Sequence, residues 1–155
     1  MGLDAELVTW IMVCVCDVHF VVLVNGIPTG FFQGYRGLRQ GCPLSPLLFL
    51  IIIDGLSRLI NEAKDRGKIR GICISNTHFL THILFVDDVL LFRGGHLYGW
   101  KCYVDIIQTF CLASGKEVSL TKSSLIASGG IVDLSIIELF PYQRIDLELG
   151  FTYLG

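Results

Sequence analysis

The sequence predicts an α+β fold, and three observations carry that reading. Helix-like and strand-like stretches follow one another in irregular order rather than as repeated strand–helix units. A β-branched run ends in Asn25-Gly26, the strongest short hairpin signal. Further on, Ser45-Pro46 opens, and Gly67 closes, a stretch long enough for a helix of several turns. No internal repeat and no low-complexity tract interrupts this order, so residues 1–155 read as one domain-sized piece.

The elements follow from local chemistry. Leu7 to Cys16 is apolar on most sides and reads as a helix. Val18 to Val24 and Ile27 to Tyr35 read as the two arms of a hairpin, with Pro28 requiring an edge position or a bulge. Arg36 to Pro46 is a loop. A helix is expected from about Leu47 to Arg66, with Ser45-Pro46 as cap and first turn, and Glu62 spaced to pair with Arg66. Gly71 to Ser75, Phe79 to Phe85 and Val89 to Phe92 read as strands, with Val86-Asp87-Asp88 at the bend between the last two. His96 to Ser114 is a second long helix stopped by Gly115. Val118 to Leu120 and Leu125 to Ala127 read as short strands flanking Lys122. Leu134 to Phe140 is a short helix, and Phe151 to Leu154 begins a last strand.

Composition narrows the class. Hydrophobic residues make up 52% of the chain and charged residues 17%, which excludes disorder as the main description. Twelve basic against fourteen acidic residues leave a net charge of −2, so bulk charge gives no support to nucleic-acid binding. Any such reading must come from local motifs. The six cysteines form no CxxC pair and read as single thiols in a reducing compartment. Asp17 and His19 interrupt the apolar run from Leu7 to Val24, Leu47–Ile53 is too short to span a bilayer, and no basic segment follows Met1. The expectation is an intracellular protein, cytoplasmic or nuclear, that is neither secreted nor membrane-bound. A small membrane-associated protein built on Leu7 to Val24 is the reading those two polar residues oppose.

Two stretches could carry chemistry. Phe85-Val86-Asp87-Asp88 sets adjacent carboxylates at a strand bend, where their mutual repulsion favours a divalent cation and hard oxygens suit magnesium. The plainer reading is a polar turn, since Asp is common at tight bends. Arg36 to Pro46 combines glycines that permit close backbone approach, Gln40 with donor and acceptor groups, and two arginines able to meet phosphate oxygens. An ordinary loop with solvated arginines explains its composition equally well.

Taken together and in order, these stretches resemble the reverse transcriptases of non-long-terminal-repeat (LINE-type) retrotransposons of the kind abundant in plants. Arg36 to Phe49 resembles the family's RGLRQGDPLSPLLF block. Thr81 to Phe92 resembles its strand–YxDD–strand hairpin, with Phe85 in the aromatic place and Val86 in the variable one. Phe110 to Ser124 is similar to the following block, in which a Ser-Gly turn leads to Asn-x-x-Lys-Ser. Phe151 to Gly155 resembles the start of the primer-grip strand, and Trp10 to Gly30 follows the family's helix end and hairpin.

The resemblance implies a partial right-hand polymerase palm, with antiparallel hairpins packed on helices, running from after the upstream aspartate block to the start of the primer grip. It implies RNA-directed DNA polymerase chemistry by two-metal nucleotidyl transfer with Mg2+, on an RNA template, a DNA primer and a dNTP. Asp87 would be the principal metal ligand and Asp88 its companion. Arg39, Gln40, Gly41, Phe85 and Lys122 would lie at the nucleotide and template site, and Tyr153, Leu154 and Gly155 would belong to the primer grip. For Lys122, a solvated turn lysine is an equal alternative to proton donation.

Cys42 stands where the family has Asp, and Ser119 where it has Asn. Asp4 has none of the context of the upstream catalytic aspartate. The expectation is therefore a fragment holding one side of the metal site, inactive alone unless the missing polymerase portions join it. A non-enzymatic nucleic-acid-binding or scaffold remnant that keeps the palm fold is the alternative.

Overall fold

The computed structural model describes residues 2–16, 18–34, 37–39, 41–94, 97–127 and 134–150. It divides into two compact units, Met1–Leu50 and Ile51–Gly155. Gln40, Arg36, Asp17 and His96 lie outside the described residues, as do Tyr153, Leu154 and Gly155 with the expected closing strand.

In the first unit, helix α1 spans Ala5–Cys16. It starts before Leu7 because Asp4 caps it, its Oδ1 accepting from the Glu6 backbone N–H at 2.9 Å while its carbonyl accepts from Val8 at 3.0 Å. The ribbon that follows is one hairpin in two paired segments. Strand β2 (Leu23–Val24) pairs antiparallel with β3 (Ile27–Pro28), and β1 (His19–Phe20) with β4 (Phe32–Gln33). Asn25 and Gly26 both take positive φ, 52° and 81°, as a two-residue primed turn requires. Between Phe20↔Phe32 and Leu23↔Pro28 the second arm carries one more residue than the first, so Pro28 is followed by a bulge. Thr29 bridges that irregularity: its N–H donates to the Val22 carbonyl, and its hydroxyl accepts from the Val22 N–H.

Helix α2 spans Ser45–Asp65 and opens two residues before the sequence suggests. Ser45 is not its cap: the Leu44 carbonyl accepts the first helical bond from Leu48, and the Ser45 hydroxyl donates back to the Arg39 carbonyl at 2.7 Å. At the other end Gly67 takes φ 69°, its N–H donating to the Lys64 carbonyl while that of Lys68 donates to the Ala63 carbonyl. That pair of bonds is a Schellman stop. Glu62 and Arg66 make the expected ion pair at 2.6 Å.

The second unit is built on the inner face of α2. Leu56, Ile60 and Ala63, at helical spacing, join Ile69, Tyr103, Leu125, Ile136 and Phe140 in one buried cluster. Strand β5 (Ile72–Ser75) pairs with β6 (His78–Leu80), and β7 (His82–Phe85) with β8 (Asp88–Leu91), both antiparallel. The single strand expected over Phe79 to Phe85 is thus split at Thr81, whose two sides serve different partners. Helix α3 spans Leu97–Ser114, and Gly115, at φ 70°, ends it.

Val118 to Leu120 is not a strand. Val118 and Ser119 belong to no regular element, Leu120 opens a turn through Lys122, and β9 (Ser124–Ala127) finds its partner elsewhere. That partner is β10 (Gln143–Asp146), reached through helix α4 (Leu134–Leu139) and parallel to β9, an element the sequence reading missed. The described strands therefore form five separate two-stranded pairings, four antiparallel and one parallel. No helix among the described residues is long and apolar enough to cross a membrane.

Candidate functional site

The hairpin β7–β8 is anchored at its base and open at its tip. At the base, the Phe92 N–H donates to the Thr81 carbonyl at 2.8 Å. The buried Tyr103 hydroxyl, rising from α3, reaches the carbonyls of Thr81 at 2.8 Å and Phe92 at 3.1 Å. Leu84 and Leu91 pack on the buried cluster from the two strands. One residue into the hairpin, His82 has a hydroxyl at each ring nitrogen: Ser57 Oγ lies 2.9 Å from Nε2 and Thr81 Oγ1 3.0 Å from Nδ1.

Burial, with the Lys64 ammonium adding to it, lowers the His82 pKa below its ordinary value. Between that lowered value and about 6.5 the unfolded chain binds the proton and the folded chain does not. This part of the stability is therefore complete above the unfolded value and is lost as pH falls through the window. Urea midpoints at two pH values on either side of it should fall more for the native chain than for His82→Gln. Equal losses would show that His82 does not sense pH.

At the tip, Phe85 pairs with Asp88, and Val86-Asp87 form the two-residue turn. Asp88 is therefore the first residue of the return strand rather than part of the bend. Val86 takes φ 49°, a left-handed conformation that is a true outlier for a β-branched residue and is characteristic of sites where neighbours impose it. This conformation sends Asp87 and Asp88 off a tight corner.

The surroundings are more open than the flanking apolar runs suggest. Asp87 is 78% exposed, and Phe85 and Val86 are exposed as well. Water thus attenuates the repulsion between the carboxylates, which weakens that part of the argument for a cation. Among the described residues, the Lys116 ammonium lies 3.6 Å from Asp87 Oδ1. Lys122, the lysine singled out from the sequence, sits on an exposed turn. Lys116 carried no spacing signal, because only the path of the chain beyond Gly115 returns it to the hairpin tip.

In the first unit, Arg39 and Gly41 lie on a loop held by its own backbone. The Arg39 carbonyl accepts from the Cys42 N–H at 3.3 Å and from the Ser45 hydroxyl, and Gly41 takes φ 81°. Cys42 keeps this turn without a carboxylate. The Leu44 backbone N–H, with Ser45 and Arg39 adding to it, holds its thiol below the usual range. The loop borders a small hollow whose walls include Val18, Phe20 and Leu48. All six cysteines are free thiols. Among the described residues no group of three or more His, Cys, Asp or Glu side chains is placed to hold a metal ion.

Comparison with known proteins adds the following. A family model described as reverse transcriptase (RNA-dependent DNA polymerase) matches residues 2–155. An uncharacterized mitochondrial protein of Arabidopsis thaliana is 43% identical over 75 residues, which is 48% of this chain and 62% of that protein. The retrovirus-related Pol polyprotein from type-1 retrotransposable element R2 of Popillia japonica is 30% identical over 173 residues, covering 98% of this chain and 26% of the polyprotein. The chain thus spans less than two thirds of each of these relatives.

Proposed function

Because the chain belongs to the reverse transcriptase (RNA-dependent DNA polymerase) family, we propose that it is the palm portion of a retrotransposon polymerase and that the tip of the β7–β8 hairpin is its catalytic edge. The observation that carries this reading is the turn itself. Two adjacent carboxylates follow a β-branched residue held at positive φ, on a hairpin whose base is fixed to α3. In this reading Asp87 is the principal magnesium ligand and Asp88 its companion. The same reading assigns nucleotide and template binding to Arg39, Gln40, Gly41, Phe85 and Lys122, and primer binding to Tyr153, Leu154 and Gly155, on the resemblance of their motifs to the family's.

The donor set suits the ion. Magnesium is commonly held by one or two carboxylates, with water and substrate phosphate completing its shell, and an exposed tip leaves room for both. When bound, the ion offsets charge that builds on the transferring phosphoryl group. What the chain's own residues do is hold carboxylate oxygens at a fixed corner, while Tyr103 and Thr81 keep that corner in register with the core.

In this reading Asp87 and Asp88 supply one side of a two-metal site, and residues that act as a unit fail together. The 155-residue chain by itself is therefore expected to show no template-directed nucleotide addition with magnesium, and Asp87-dependent primer extension would overturn that expectation. The site is tested separately by replacing magnesium with ferrous iron and adding peroxide, so that radicals cut the backbone beside bound metal. Cleavage should centre on Val86–Asp88 and vanish in Asp87→Asn. Cleavage elsewhere, or unchanged in that variant, would remove the hairpin tip from the mechanism.

A further inference from the structure

We propose that Lys116 is the built-in counter-ion of Asp87, a positive charge beside the carboxylate that competes with a divalent cation for it. The inference rests on the reading of Asp87 as a metal ligand and adds a residue to which that reading assigns no part.

The placement of Lys116 is structural rather than incidental. Helix α3 ends at Ser114, and Gly115 at φ 70° turns the chain while its N–H donates to the Cys111 carbonyl at 2.9 Å. The Ser114 hydroxyl donates to the Phe110 carbonyl at 2.7 Å and accepts from the Lys116 N–H at 3.3 Å. The backbone of Lys116 is thus tied to the helix end. Its side chain is 40% exposed, and it ends 3.6 Å from Asp87 Oδ1. The backbone of the other partner sits at the corner of the turn, since Asp87 follows Val86 at its positive φ.

The electrostatic consequence has a definite sign. A divalent cation on Asp87 would meet an ammonium a few ångströms away and lose part of the carboxylate's attraction to it. Lys116 therefore weakens metal binding to the free chain. By the same linkage, a cation bound to Asp87 weakens the Lys116–Asp87 contact by the same factor. Exposure keeps the effect modest, because exposed pairs are screened by water and salt.

The test measures Mn2+ binding to the full 155-residue chain from the electron paramagnetic resonance of the free ion, at low ionic strength. Lys116→Met should bind Mn2+ roughly three- to tenfold more tightly than the native chain. Lys116→Arg, which keeps the charge, should stay close to native. The gain should shrink in about 1 M salt, where the screening length falls to about 3 Å. Asp87→Asn should lose most of the binding whichever residue occupies position 116. If Asp87→Asn loses the metal but Lys116→Met binds no better than native, the counter-ion role is wrong and the metal reading stands. If Asp87→Asn binds as the native chain does, or if no variant binds Mn2+, the metal reading falls and this inference with it.

Discussion

Tyr103→Ala is expected to lower the stability of the 51–155 unit by about 3–5 kcal/mol, most of what a marginally stable domain has. The side chain is fully buried, at 0% exposure, in the cluster that includes Leu56, Ile60 and Phe140. Trp100 lies beside it with ring centroids 5.8 Å apart. Removing the ring opens a cavity among side chains from several elements, which cannot all collapse into it.

Tyr103→Phe separates packing from hydrogen bonding. The ring stays, the Thr81 carbonyl keeps the Phe92 N–H, and the Phe92 carbonyl loses the phenol. The expected loss is about 1–2 kcal/mol, read from urea midpoints. There is also a pH signature. Burial pushes the Tyr103 phenol well above its ordinary value. As pH rises beyond about 10 the unfolded chain sheds a proton that the folded chain retains, so stability present below that pH is lost above it. Tyr103→Phe should remove this alkaline component. A native-like midpoint for Tyr103→Phe together with an unchanged alkaline limb would show that the phenol does not hold the hairpin base.

Much of this was legible in the sequence where a local rule acts alone. Asn25-Gly26 required a primed turn, Gly67 and Gly115 required helix stops, and Glu62 and Arg66 required only helical spacing to meet. The α+β class followed from the same signals. The position of the acidic pair beside a turn between two strands was also legible, since apolar runs flank it on both sides; its reading as a metal site comes from the resemblance.

What escaped depends on contacts distant in sequence. Nothing in Phe79 to Phe85 marks Thr81 as the place where pairing changes partner. That change is set by β5 on one side and β8 on the other, with the Tyr103 hydroxyl arriving from 22 residues away. The segment Gln143–Asp146 carries two charges and no alternating apolar pattern, so its pairing with Ser124–Ala127 comes from its neighbour rather than from propensity. Ser45 has the composition of a cap, but its hydroxyl goes to the Arg39 carbonyl because the loop folds back over the helix start. Lys122 stands out through the resemblance, whereas Lys116 carries no sequence signal: only the path of the chain after Gly115 brings it to Asp87.

Gly71→Ala should be the most damaging single-methyl change in the second unit, at about 3 kcal/mol. A Cβ at position 71 would lie 1.8 Å from the Leu80 carbonyl oxygen, 2.3 Å from its carbon and 2.8 Å from the Thr81 nitrogen. These are backbone atoms, so no side chain can rotate away to make room. The peptide they belong to joins β6 to β7, and the neighbouring Thr81 carbonyl receives both Phe92 and Tyr103. Relieving the clash would thus pull β5 from β6 or shift the base of the hairpin that carries Asp87 and Asp88. Gly55 is the control. It lies inside α2 with nothing within 4 Å of an added Cβ, so Gly55→Ala should stabilise by about 1 kcal/mol through helix propensity. Opposite signs for one chemical change, measured by urea unfolding of the two variants, would tie the destabilisation to the Gly71–Leu80 approach. A Gly71→Ala protein as stable as the native chain would mean that β5 does not run against the Leu80–Thr81 peptide. The hairpin base would then rest on Tyr103, the Phe92–Thr81 bond and the packing of Leu84 and Leu91.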